Sequence, residues 1–234
     1  MLLTIYVDDI IIACANIDHV KEVKKQFCTK FDMTDMGELE HFLNVRVTRT
    51  RGTLKLDQSV YTQKVLDKFA DFLGPRGKTK YYPLPADAAD QLAQQDSDLT
   101  VEQQQYLDNF PYRSLIGAAL YLSMNTRSDI SYAVGVLSRH SSKPTLASCK
   151  LLVHMSQYLR GTVDKSLTFS GRSLDMHIFT DSDWAGDVLT RRSTTGYVVF
   201  AAGATSRPLL LHRACRQSIK SCMLVCKNWY GFGG

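Results

Sequence analysis

The sequence predicts an α+β fold, on three observations. Two short apolar runs rich in Ile, Val and Tyr flank Asp8-Asp9 near the start of the chain. Most of the later apolar residues recur at helical rather than alternating spacing. Short β-type runs return in the C-terminal third, after the helical stretches.

Leu2–Val7 and Ile10–Ala15 read as two buried strands joined by a tight turn at Asp8-Asp9. Asp18–Lys30 places Val20, Val23 and Phe27 on one helical face, with Asp18 as N-cap and Lys21, Lys24 and Lys25 outside. Phe42–Thr50 and Thr53–Asp57 form a hairpin around Arg51-Gly52. Gln58–Phe72 repeats Tyr61, Val65, Phe69 and Phe72 as an amphipathic helix, stopped by Gly74-Pro75. From Tyr81 to Asn109 the prolines and the Gln/Asp-rich run have linker composition. Three helices follow at Pro111–Met124, Asp129–Ser141 and Thr145–Arg160, with Pro111 in a first helical position and Ser128 as an N-cap. Ser166–Ser170, Leu174–Thr180 and Thr194–Ala202 read as strands. There is no internal repeat.

The net charge of +5 is mildly basic, a property shared by many nucleic-acid-binding chains. All of that excess lies after Gly203: Arg207, Arg213, Arg216, Lys220 and Lys227 are there, and no Asp or Glu is. Cys215, Cys222 and Cys226 share this tail, which makes Gly203/Ala204 a compositional boundary. Six cysteines in 234 residues do not make a disulfide scaffold, so Cys14, Cys28 and Cys149 read as reduced thiols of an intracellular, soluble protein. No signal peptide is visible, and the apolar runs are too short to span a bilayer.

Two adjacent aspartates at a hairpin turn need a reason. Two-residue turns favour Asn-Gly or Asp-Gly, and two like charges side by side repel. A divalent cation offsets that repulsion, because Mg²⁺ takes oxygen ligands and is commonly held by one or two carboxylates plus substrate phosphates. The alternative is a longer loop whose acids are simply solvated.

IYVDDIII resembles the Y-x-D-D palm hairpin of reverse transcriptases. FDMTDMGELEHFLNVRV, YTQKVLDKF, PYRSLIGAALYLSMNTRSDISYAVGVLSRHSSKP, YLRGTVDKSLTFS and FTDSDWAGDVLTRRSTTGYVVFAAG follow in an order similar to copia-type LTR-retrotransposon enzymes, from Leu2 to about Gly203.

The resemblance implies an RNA-directed DNA polymerase with ribonuclease H, working on an RNA/DNA template-primer with Mg²⁺ or Mn²⁺, in the cytoplasm or a virus-like particle. It implies that Asp8 is the principal metal-binding aspartate and Asp9 its partner, with Tyr6 near the primer terminus. Phe42, Leu43 and Asn44, with Val45, match the primer-grip hairpin. The family usually has Gly where Asn44 stands, and Asn tolerates left-handed backbone better than most residues. Gln58–Phe72 becomes the thumb helix. On it Lys64 and Lys68 are placed either to face a phosphate backbone or to sit solvated. Ser128 replaces a family proline and is able to cap the helix instead. Asp181 becomes the first metal ligand of a ribonuclease H-like strand, the alternative being a strand that ends in an Asx-rich turn.

The implied organisation is a truncated palm hairpin plus thumb (1–80), a polar linker (81–110), connecting helices (111–170), an incomplete ribonuclease H-like sheet (171–203) and a basic tail unlike the family (204–234). The tail is expected to lack tertiary structure and to be cut first by proteases. A zinc site of His212, Cys215, Cys222 and Cys226 is its rival reading, with a spacing that matches no common zinc pattern. The family's third polymerase aspartate precedes the hairpin, where this sequence has only five residues before Tyr6. The family's later ribonuclease H acids find no match in a tail without carboxylates. The expectation is a chain inactive alone, an enzyme piece completed in trans. The alternative is a non-enzymatic relic with at most weak nucleic-acid binding. Its oligomeric state is left open.

Overall fold

The computed structural model describes residues 1–75, 77–94, 99–170, 176–182, 195–201 and 204–211. Two compact units emerge, Met1–Leu43 and Asn44–Gly234. The boundary falls before the expected thumb helix, which therefore belongs to the second unit.

In the first unit, β1 (Leu2–Tyr6) and β2 (Asp9–Ala13) form an antiparallel pair. Helix α1 (Ile17–Lys30) follows, and the unit ends with the two-residue strand β3 (His41–Phe42). Asn16, not Asp18, caps α1: its side chain accepts hydrogen bonds from the Asp18 and His19 amides at 2.9 and 3.4 Å. Asp18 then lies in the first turn, where a negative charge suits the helix dipole. Lys24 reaches across to the segment after the helix, bonding Asp35 at 2.6 Å and the Gly37 carbonyl at 3.2 Å. Val20 alone is buried in this unit.

The second unit opens with β4 (Val45–Thr50) and β5 (Thr53–Asp57), the expected hairpin, with Gly52 at φ 83° in its turn. Asp57, at the end of β5, starts the next helix by accepting the Ser59 amide at 3.2 Å and the Ser59 hydroxyl at 2.7 Å. Arg46 donates to the other carboxylate oxygen at 3.0 Å. Burial opposes the Asp57 charge, but these bonds from Ser59 and Arg46 outweigh it and hold the carboxyl below the usual range.

The predicted single helix 58–72 is α2 (Ser59–Lys68) and α3 (Ala70–Leu73), parted at Phe69, with Gly74 at φ 72° ending the second. Where composition predicts a linker, the described chain forms α4 (Ala88–Ala93) and α5 (Val101–Asn109). The Gln/Asp pairs that suggest a linker act as helix supports. Thr100 and Gln103 make a capping box, and Gln91–Asp87 and Gln104–Asp108 bond four residues apart. Leu92, Tyr106 and Leu107 pack on the core.

Helix α6 (Tyr112–Asn125) takes Pro111 as its N-cap rather than its first residue. A 3₁₀ turn at Ser128–Ile130 precedes α7 (Ser131–Ser138), so Ser128 lies inside the turn and does not cap it. Helix α8 (Leu146–Gly161) begins at a Thr145–Ser148 capping box. The core joins Val65, Leu66, Phe69 and Leu73 to the inner faces of α6, α7 and α8, with Leu122, Leu137, Leu152 and Met155 fully buried. The Tyr112 hydroxyl donates to the Leu137 carbonyl at 2.8 Å, and burial pushes it well above the usual tyrosine range.

Strand β6 (Ser166–Phe169) pairs antiparallel with β5, so the chain returns to the early hairpin after the helices. A separate antiparallel sheet of β7 (Met176–Ser182), β8 (Thr195–Ala201) and β9 (Ala204–Leu211) follows. The last strand corrects the expected unstructured tail over residues 204–211, and residues 212–234 lie outside the described residues. Residues 204–211 pair along β8 with a register shift between Tyr197 and Val199, because an open strand edge recruits a neighbouring extended segment with little regard to its charge. His212, Cys215, Cys222 and Cys226 lie outside the described residues.

Candidate functional site

The hairpin of β1 and β2 carries the candidate metal ligands. Its register pairs Leu3 with Ile12, Ile5 with Ile10, and Tyr6 with Asp9. The two turn residues are therefore Val7 and Asp8, one step earlier than predicted. Asp9 is the first residue of β2, directly across from Tyr6.

Val7 has φ 50°, while Asp8 is not among the positive-φ residues. One left-handed residue at the first central position is the pattern of a type II′ turn, which normally has Gly there. A β-branched side chain in that region is strained. Val7 is also 79% exposed, so no packing rewards the strain.

Tyr6, Asp8 and Asp9 are all exposed at the hairpin end. Two neighbouring carboxylates there supply hard oxygen donors of the kind Mg²⁺ takes, with room for waters and substrate oxygens around the ion. Among the described residues, no three His, Cys, Asp or Glu side chains converge.

Phe42, at the end of the first unit, stands edge-on to Tyr6 with ring centroids 6.2 Å apart. Leu43 and Asn44 follow with φ 48° and 60°. Asn44 thus takes the left-handed conformation expected at this position. Two consecutive left-handed residues match a type I′ turn.

Lys64, Lys68 and Asp181 belong to the second unit. Lys64 and Lys68 are exposed on α2, and the Lys68 Nζ lies 5.4 Å from the Phe69 ring centroid. Asp181 sits in β7, paired with Gly196 of β8.

Among the described residues, the most heavily bonded cluster lies outside the positions that the sequence motifs mark. Arg127 is 2% exposed and bonds both oxygens of Asp129 at 2.9 Å. It also donates to the Thr162 carbonyl at 3.0 Å and the Thr162 hydroxyl at 2.6 Å. Asp129 further accepts the Tyr158 hydroxyl at 2.6 Å and Lys165 Nζ at 3.3 Å. Burial opposes the Asp129 charge, but the Arg127 fork beside it prevails and holds the carboxyl below its usual range. The signal was the TRSDI string, in which Arg and Asp two apart flank a residue in a tight turn. The cluster ties the 3₁₀ turn to the end of α8 with Arg127 buried and Asp129 and Lys165 at the surface, so it organises the fold.

The family described as reverse transcriptase (RNA-dependent DNA polymerase) matches residues 1–83, the part that holds the hairpin and Phe42–Asn44. A retrovirus-related Pol polyprotein from a Nicotiana tabacum transposon is 32% identical over 88% of this chain. An uncharacterized mitochondrial protein of Arabidopsis thaliana is 33% identical over 86% of this chain and 78% of its own length. The chain belongs to the copia-type reverse transcriptase family. A retrovirus-related Pol polyprotein from an Arabidopsis thaliana transposon is also 31% identical over 84% of the chain. The chain spans 15% and 13% of these two polyproteins. No solved structure matches it. Among the described residues no helix is long and apolar enough to cross a membrane.

Proposed function

We propose that this copia-type reverse transcriptase segment presents the Y-x-D-D hairpin of an RNA-directed DNA polymerase, in which Asp8 and Asp9 hold Mg²⁺ or Mn²⁺ against a template-primer. The observation that carries this reading is the hairpin itself: Asp8 in a strained two-residue turn, Asp9 across from Tyr6, and Phe42 edge-on to that tyrosine. Strain held at an exposed turn, where nothing in the packing needs it, is commonly retained for a function. The family match over residues 1–83 supports the same assignment. A bound ion would polarise phosphate oxygens. Asp8 and Asp9 would anchor it, Tyr6 and Phe42 would offer an aromatic floor beside it, and Leu43-Asn44 would bring backbone close to the primer strand.

Two carboxylates alone give weak binding, since Mg²⁺ sheds its waters reluctantly. Phosphoryl transfer with two ions needs further ligands. The chain alone is therefore expected to bind Mg²⁺ in the millimolar range and to give no primer extension, a third acid being supplied by another segment. Asp181, on β7, is assigned to a ribonuclease H-like strand on resemblance. The alternative of a non-enzymatic relic draws on the exposure of Leu2, Ile5 and Val7 at 66%, 64% and 79%, which leaves the hairpin largely unpacked.

Primer extension on an RNA template in Mg²⁺ and in Mn²⁺, with calorimetric Mg²⁺ titration, tests the reading. Weak heats lost in Asp8→Asn with no extension product are expected. Micromolar Mg²⁺ affinity that depends on Asp8, or template-dependent product that vanishes in Asp8→Asn, would show that the site is complete. Heats unchanged in Asp8→Asn would remove the metal assignment.

A further inference from the structure

Away from the hairpin, in the second unit, the connection after α3 carries two adjacent tyrosines that the polymerase reading does not use. Tyr81 is 92% exposed and Tyr82 73% exposed, although large rings usually seek cover. Lys78 is exposed just before them and Lys80 is half-buried beside them.

This is not a slack loop. Arg160 of α8 donates to the carbonyls of Pro75 at 2.7 Å and Lys78 at 3.3 Å. His154, two turns earlier on α8, bonds the Tyr82 carbonyl at 3.1 Å. Backbone and helix approach so closely at Thr79 that a Cβ on Gly161 would stand 3.1 Å from the Thr79 Cβ. Leu84, just beyond, packs on the core. The backbone is pinned on both sides of the tyrosines while their rings stand in solvent. A pinned backbone also loses little entropy when a ligand settles on those rings.

We propose that residues 77–83 form a stacking platform for single-stranded nucleic acid, with Tyr81 and Tyr82 taking unpaired bases and Lys78 and Lys80 the adjoining phosphates. The proposal deepens the template-primer reading by naming a surface that would hold unpaired strand, and it rests on that reading for its context alone. Exposed aromatics beside cations are what single strands bind, since every base has a face to stack and every nucleotide a phosphate to neutralise. A duplex keeps its bases stacked inside and offers these rings little.

The test is fluorescence anisotropy of the full chain with a short labelled thymidine homo-oligonucleotide across a salt series. Stacking of about 5- to 150-fold per ring predicts that Tyr81→Ala/Tyr82→Ala weakens binding at least tenfold with the salt slope unchanged. Tyr81→Phe/Tyr82→Phe should bind as the parent does, because stacking uses the ring and not the hydroxyl. Lys78→Ala/Lys80→Ala should lower affinity and flatten the salt dependence by roughly 0.7 for each phosphate no longer neutralised. The same titration in EDTA, with no divalent cation for Asp8 and Asp9 to hold, should still show the loss in the double Ala variant, so failure of the metal assignment and failure of the platform are read separately. No measurable binding by the parent chain overturns the proposal, as does undiminished binding in the double Ala variant, which would assign binding to the other cations. Equal affinity for a duplex of the same length overturns it too.

Discussion

Arg127 shows how much one side chain can organise. Its guanidinium is 2% exposed, and its bonds to Asp129 and Thr162 join residues 35 apart in sequence. Asp129 lies at the surface and keeps Tyr158 and Lys165, so it is loss of Asp129 that strands a buried charge, that of Arg127, at about 3–5 kcal/mol. Asp129→Ala should therefore lower unfolding free energy by roughly that amount in chemical denaturation. Arg127→Lys should also destabilise, because an ammonium cannot make the planar fork; a loss under about 1 kcal/mol in the Asp129→Ala variant would mean the pair behaves like a surface salt bridge. Asp129 adds a pH signature. Its folded pKa lies below the ordinary value of 3.8, so its contribution is fully present above that value and is lost as pH falls through the folded pKa. Asp57 shifts the same way. Stability should drop below about pH 4, more steeply in the parent than in a variant with Asp129 replaced by Asn; parallel acid curves would exclude Asp129 as the cause. At the hairpin, Val7→Gly should relieve the left-handed strain at φ 50°. Set against glycine's larger unfolded entropy, a net gain on the order of 1 kcal/mol is expected, read as slower amide exchange in β1 and β2. Faster exchange there would mean that Val7 is not strained.

The elements follow local chemistry wherever caps are strong. Helix α8 starts at Thr145, whose hydroxyl accepts the Ser148 amide at 3.1 Å while the Ser148 hydroxyl accepts the Thr145 amide at 2.9 Å. Thr145→Ala should cost about 1 kcal/mol, measured as a shift in denaturation midpoint with an unchanged slope; a changed slope would mean the helix start is remodelled instead. Three of the predicted helices lie within a residue or two of those observed: 18–30 against Ile17–Lys30, 111–124 against Tyr112–Asn125, and 145–160 against Leu146–Gly161. Spacing of apolar residues is a strong signal over three or more turns. It is weak over one or two, which is why α4 and α5 have the look of linker in the sequence. Their polar runs resemble solvated chain until Leu92, Tyr106 and Leu107 find the core.

At the scale of the whole chain, the two units differ in what they bury. The second unit has a core of buried side chains from α2, α3, α6, α7 and α8, whereas Met1–Leu43 buries only Val20. Local stability follows buried apolar contact. Hydrogen exchange should therefore be fast throughout Met1–Leu43 and slow in α6, α7 and α8, and limited trypsin should cut near Lys21, Lys24 or Lys25 before the helical core. Uniform protection across both units would refute this. In the core, Leu152→Ala should cost about 2–5 kcal/mol, since Leu152 is fully buried and the cavity closes only in part.

The residues by themselves determined the family, three of the long helices, and the place of Asp8 and Asp9 at a hairpin, because helical periods and a run of motifs in fixed order survive without coordinates. They were also compatible with the left-handed backbone at Asn44, which Asn tolerates better than most residues. Tertiary structure decided what depends on partners distant in sequence. The turn falls at Val7-Asp8 because cross-strand register, not turn propensity, sets which pair closes the hairpin. Residues 204–211 become a strand because β8 offers an edge. Arg127 is buried because Asp129, Thr162 and Tyr158 converge on it. Tyr81 and Tyr82 stand in solvent because α8 holds the backbone on both sides of them, and no pattern in their own segment could have shown that.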